Sequence, residues 1–286
     1  MKLQTIVDIA PSPWKIGYED KILLLGSCFA DSVGQIMAEY NLPVTCNPFG
    51  TLYNPLSIAQ ALTMQEMPSL VEYDGLWHSI AHHGSFSRPT ETEAHEAIRA
   101  SIETMQKAFA EASVVIVTFG TAWVYELVES QKSKDKRPAI VANCHKMPAD
   151  RFSRRRLAVD EIVETWRPIL ERSADKHWIF TVSPIRHVKD GLHENQLSKA
   201  TLLQAVEEIS RQFSSASYFP SYEIVLDELR DYRFYADDLV HPSSMAVKYI
   251  WERFADVFMT PQTRNQLTLE HKRWQFDHHR PLHPSK

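Results

Sequence analysis

The sequence predicts a three-layer α/β/α sandwich on a mainly parallel sheet, and three observations carry that expectation. Short, predominantly apolar runs recur: ILLL at 22–25, VVIVTFG at 114–120, and WIFTV inside HWIFTVSPIRH at 177–187. Such runs mark strands buried on both faces. Each adjoins a segment whose apolar residues repeat at helical spacing, so strands and helices alternate in the order that places helices on both faces of a parallel sheet.

The elements follow in turn. ILLL leads through the turn GS into CFADSVGQIMAEYN, where Phe29, Val33, Ile36 and Met37 share a helical face. EAHEAIRASIETMQKAFAEA is a helix before the second strand, and VDEIVETWRPILER a helix before the third, with Pro168 expected to kink or divide it. Arg154, Arg155 and Arg156 read as a solvated helix start. SKATLLQAVEEISRQF (198–213) reads as a helix capped by its serine, and YEIVLDEL (222–229) as a further strand. HPSSMAVKYIWERFADVF places Val247, Ile250, Trp251, Phe254 and Phe258 on one docking face. Residues 123–146 break the rhythm, with AWVYELVES and RPAIVANC around the polar QKSKDK forming an inserted β-hairpin. A last helix with a loose tail is expected over 264–286, and residues 1–286 are read as one domain.

Composition narrows the classes. A chain of 286 residues with 44% hydrophobic and 23% charged residues can bury a sizeable core. A net charge of -5 gives no reason to expect nucleic acid. No apolar stretch has the length of a signal peptide core or a bilayer span, so a cytoplasmic protein without a membrane partner is expected. The three cysteines, Cys28, Cys46 and Cys144, show no CxxC spacing and suit a reducing compartment. G-x-S-x-G, P-loop and GxGxxG patterns are absent, against an α/β-hydrolase, an NTPase and a dinucleotide enzyme.

Ligands of open parallel sheets bind beyond the carboxyl ends of the strands. Gly26-Ser27, Gly50, Gly120-Thr121 and the segment Ser183 to His187 should therefore converge on one edge. Ser27 begins a helix, where free N–H groups and the dipole favour developing negative charge; a serine there suits a nucleophile, or simply an N-cap. YADDLVHPSS (235–244) places Asp238 three residues before His241, just ahead of a helix that Pro242 can start. A serine needs a base, and the base needs a carboxylate that fixes its tautomer; the same pair could instead cap the helix. Cys28 is the competing nucleophile, but neighbours on a helix diverge by about 100°, and Ser27 is the one expected to act. His78 and His82 have i, i+4 spacing without HExxH or paired carboxylates, so no metal or other cofactor is expected.

An early Gly-Ser after the first strand and a late D-x-x-H before the final helix resemble the SGNH (GDSL-like) hydrolases, whose fold is flavodoxin-like. More narrowly, GSCFADSVG resembles the name motif of the GSCFA family, and NPFGTLYNP, FGTAWVY, VANCHK, SPIRHVKDG, SKATLL and LRDYRFYADDLVHPS are similar to the rest of its pattern, over about 20–260. The resemblance implies an esterase-like site: Ser27 as nucleophile, His241 as general base then acid, Asp238 as orienter, and an oxyanion hole of Ser27, Gly50 and Thr121. Many relatives carry an asparagine where FGTAW offers Thr121. His83, by the same resemblance, and Arg186 and His187, from the third strand's end, are the candidate substrate contacts. The expected activity is hydrolysis of a small ester, such as an O-acetyl group on a sugar or other polar molecule. An acyltransferase using the same site and a non-catalytic ligand-binding protein are the alternatives.

Overall fold

The computed structural model describes residues 4–128 and 139–278. Five parallel strands form the central sheet: β1 (Ile22–Gly26), β2 (Val44–Cys46), β5 (Val114–Phe119), β9 (His177–Val182) and β10 (Ala216–Phe219). Their order is β10-β9-β5-β1-β2, the flavodoxin-like arrangement, in which the strand order reverses between β1 and β5 and leaves a crevice there.

Alternation along the strands divides the core in two. Leu23, Leu25, Val115, Val117, Phe180 and Val182 face the layer of α2 (Pro55–Thr63), α3 (Glu91–Glu111), α4 (Val159–Arg172) and α5 (Leu192–Gln212). Ile22, Leu24, Val114, Ile116 and Ile179 face α1 (Cys28–Glu39) and α7 (Ser244–Phe258), with α8 (Pro261–Asp277) beyond them. The predominantly apolar runs are thus buried on both faces, as parallel strands under two helical layers must be. No helix among the described residues is long and apolar enough to cross a membrane.

Several elements differ from expectation, each for a local reason. Residues 222–228 of the expected strand are helical: α6 (Ser221–Glu223) runs into a wider π-helical turn at Ile224–Glu228. The last strand lies earlier, at Ala216–Phe219, and Pro220, without an N–H for the ladder, follows its end. Ser198 does not cap α5; the helix starts six residues earlier, after Gly191. Pro168 leaves α4 a single element, because its ring and the Glu164 carbonyl it deprives of a partner both face solvent.

The insertion is larger than a hairpin. β6 (Trp123–Leu127) pairs antiparallel with β7 (Ile140–Val141) on one side and with β8 (Phe152–Arg156) on the other. The three arginines therefore lie on a strand and alternate: Arg155 bonds Glu126 and Glu161 on one face, while Arg154 stacks over Trp123 and pairs with Asp190 on the other. A two-stranded hairpin, β3 (Leu70–Tyr73) and β4 (Leu76–Ser79), adds a feature the sequence reading did not contain. Residues 129–138 of the expected hairpin and the tail from 279 lie outside the described residues.

Candidate functional site

The strand ends do converge. Gly26 ends β1 with φ +129, and a Cβ there would sit 2.1 Å from the Thr118 carbonyl oxygen, so only glycine lets β1 and β5 approach this closely before the chain turns into α1. Asn47 donates to Asp31 of α1 at 2.6 Å and accepts from the Gly26 N–H at 2.8 Å, which ties the Gly50 loop to the same edge. The Gly120 N–H donates to the Tyr53 carbonyl at 2.8 Å, and the Ser183 N–H to the Phe119 carbonyl at 2.8 Å.

Ser27 takes the N-cap place, yet its hydroxyl caps nothing. The residue is 1% exposed, and Oγ is buried without a hydrogen-bond partner among the described residues. Cys28, one position on, is half-buried and brings Sγ to 3.6 Å from His241 Nε2. His241 Nδ1 lies 2.6 Å from Asp238 Oδ2, while Asp238 Oδ1 accepts from the N–H groups of Val240 and His241 at 2.9 Å each. The fold thus assembles a thiol–imidazole–carboxylate line on Cys28, and the serine that the sequence favoured faces inward. Divergence of neighbours on a helix is the reason in both cases; which of the two faces His241 depends on how α1 is rolled against the sheet.

Electrostatics suit a base-assisted thiol. Burial pushes the Cys28 thiol above its usual value of 9.0, against the smaller downward pull of its own N–H and that of Phe29 in the first turn of α1. The thiol is therefore protonated at neutral pH and needs a base to become a nucleophile. The backbone N–H groups of His241 and Val240, then the imidazole, hold Asp238 down at about 2. With Asp238 accepting the Nδ1 proton, Nε2 keeps the lone pair that faces Sγ.

The expected oxyanion donors are otherwise engaged. The N–H of Ser27 donates to Thr118 O at 3.3 Å, that of Gly50 to Asn47 O at 2.7 Å, and that of Thr121 to Tyr53 O at 3.0 Å. The Thr121 hydroxyl meets Ser198 Oγ at 3.1 Å and accepts from the Trp123 N–H. What faces Sγ instead is the first turn of α1, through the N–H groups of Cys28 and Phe29.

The other candidates sort by position. His187 lies beside the triad: its ring meets Tyr53 edge-on at 5.9 Å, and burial, then the charges of Lys199 and His241, lowers its pKa to about 4. Arg186, next to it, faces a cavity of about 600 Å3. His83 packs on Gly50, where an added Cβ would come within 2.4 Å of the His83 Cβ. His78 is on β4, not a helix, and it and His82 have both ring nitrogens in hydrogen bonds, to Ser87 and Tyr73 and to Ser79 and Ser101.

Two residues of the site went unread in the sequence. Tyr53 accepts the Gly120 and Thr121 N–H groups through its carbonyl, and burial, then the nearness of Cys28, raises the pKa of its phenol. Lys199 is 1% exposed and donates to the carbonyls of Gly120 at 2.6 Å and Ser183 at 2.7 Å, joining the ends of β5 and β9; burial lowers its pKa to about 7. A readable sign existed: Lys199 stands at i−3 to Leu202 and in line with Val206, on the apolar face of its helix, where a lysine needs a reason.

Compared with known families, the chain matches the sequence model of one family, GSCFA, over residues 21–254. No curated protein matches it.

Proposed function

We propose that this chain, which belongs to the GSCFA family, is a hydrolase of small esters that works through a thioester on Cys28, on a fold akin to that of the SGNH hydrolases. The observation that carries the reading is the contact of Cys28 Sγ with His241 Nε2 at 3.6 Å, backed by Asp238 at 2.6 Å on the other ring nitrogen.

In this mechanism His241 Nε2 takes the thiol proton as Sγ attacks the acyl carbon. Negative charge moves to the acyl oxygen, toward the first-turn N–H groups of α1, and Asp238 steadies the imidazolium. Collapse expels the alcohol, which leaves with the proton from Nε2, and the acyl group stays on sulfur. Water then gives a proton to the same nitrogen as it attacks the thioester. Release of the carboxylic acid returns the proton to sulfur. Cys28 is accessible to a substrate, whereas Ser27 Oγ is sealed.

The test is turnover of p-nitrophenyl acetate. Cys28→Ala and His241→Ala should each lose at least about 10³-fold in kcat/KM, while Ser27→Ala stays within about tenfold, a margin appropriate to a neighbour that only packs. Iodoacetamide should label Cys28 and abolish turnover. Activity that survives Cys28→Ala but vanishes in Ser27→Ala would return the nucleophile to serine; a native chain with no turnover on any ester would leave a ligand-binding protein. Products formed with an added acceptor alcohol distinguish hydrolysis from acyl transfer.

A further inference from the structure

Of the nine large apolar side chains exposed among the described residues, four stand around one cavity of about 600 Å3: Val188, Leu192, Tyr232 and Leu239. Clustering of this kind marks a binding surface rather than scattered exposure, and the volume is that of a small-molecule site. Two of its lining residues, Leu239 and Arg186, are chain neighbours of the site. Leu239 lies between Asp238 and His241 in sequence, held at φ 57, a conformation a branched side chain adopts only under constraint. Arg186 precedes His187, whose ring meets Tyr53 edge-on at 5.9 Å.

Charge defines the ligand further. Arg186 is half-buried in the wall, with no ion-pair or hydrogen-bond partner among the described residues, and its charge acts on the Tyr222 phenol. Of the acids lining the same cavity, Asp231 is taken by Arg233 at 2.8 Å and Asp227 is exposed. Arg230, exposed like Asp227, offsets it, which leaves the half-buried Arg186 as the uncompensated charge of the wall. A neutral sugar would leave the aliphatic wall wet and the guanidinium unmatched.

We propose that this cavity binds an amphiphilic anion, an aliphatic chain ending in a carboxylate or phosphate group that pairs with Arg186, and that this is the non-reacting part of the substrate handled at Cys28. The second half of the proposal rests on the hydrolase reading; the first does not.

Calorimetric titration of the Cys28→Ala variant with octanoate, octanol and acetate tests it without turnover. Octanoate should bind at least about tenfold more tightly than either octanol or acetate, since it alone supplies both the chain and the charge. Adding Arg186→Gln should weaken octanoate about tenfold and leave octanol unchanged, whereas adding Leu192→Glu should weaken both. Octanoate that binds no better than acetate, or that is indifferent to both substitutions, overturns the proposal. Octanoate binding in a native chain that turns over no ester would refute the hydrolase alone; ester turnover with no octanoate binding would refute the amphiphile alone.

Discussion

The two halves of the site are built by different physics. The inner half, Ser27, Gly120, Ser183 and Lys199, lies on the ends of parallel strands and on a buried helix face, and packing fixes it. The outer half, Asp238, Leu239 and His241, is a surface loop whose triad side chains are 50% and 46% exposed, held by a few local hydrogen bonds. Cys28 stands at the seam. On the proposed reading, rigidity on one side and a polar, accessible base on the other would let a half-buried thiol be deprotonated while it stays open to substrate.

The largest expected difference lies on the outer side. Asp238→Asn keeps an oxygen for the Val240 and His241 N–H groups but presents an amide donor to Nδ1, which moves the ring proton to Nε2 and removes the lone pair facing sulfur. Ester kcat/KM should fall by about 10³- to 10⁴-fold, with the urea midpoint nearly unchanged. Equal loss of stability and activity would mean that Asp238 serves the loop rather than the imidazole.

The inner side should show itself in stability. Lys199 has a folded pKa lowered to about 7 from 10.5, so between those values the unfolded chain holds a proton that the folded chain does not. Stability contributed at this position therefore rises with pH across that window. Relative to Lys199→Met, the unfolding free energy of the native chain should increase by about 2 kcal/mol from pH 7 to pH 9. A flat difference would mean the ammonium stays charged between its two carbonyls.

The smallest effect tests whether the outer loop stores strain. Leu239 at φ 57 costs backbone energy that glycine would not, so Leu239→Gly should raise stability by up to about 1 kcal/mol, net of glycine's greater chain entropy. Urea unfolding gives the answer; a clear loss would show that the leucine side chain packs well enough to offset its backbone.

Legibility in the sequence follows the same division. The sandwich was readable because three apolar runs left no solvated face to their strands. The last strand was not, since Ala216–Phe219 is four residues of mixed polarity, while the more apolar 222–228 is helical. The arginines at 154–156 belong to a strand whose charges are matched by Glu126, Glu161 and Asp190, partners that only long-range pairing supplies. Asp238 and His241 stood out because both sit in one short loop, and their contact is local.

By itself the sequence determined the layer order, the edge at which Gly26, Gly50 and Gly120 meet, and the carboxylate–imidazole pair, because each depends on hydrophobic periodicity or on residues a few positions apart. Only the tertiary structure decided that Cys28 rather than Ser27 meets His241, and that the Ser27, Gly50 and Thr121 N–H groups are already bonded. Those outcomes depend on the roll of α1 against the sheet and on which carbonyl each loop presents, and both are set by the packing of the whole core.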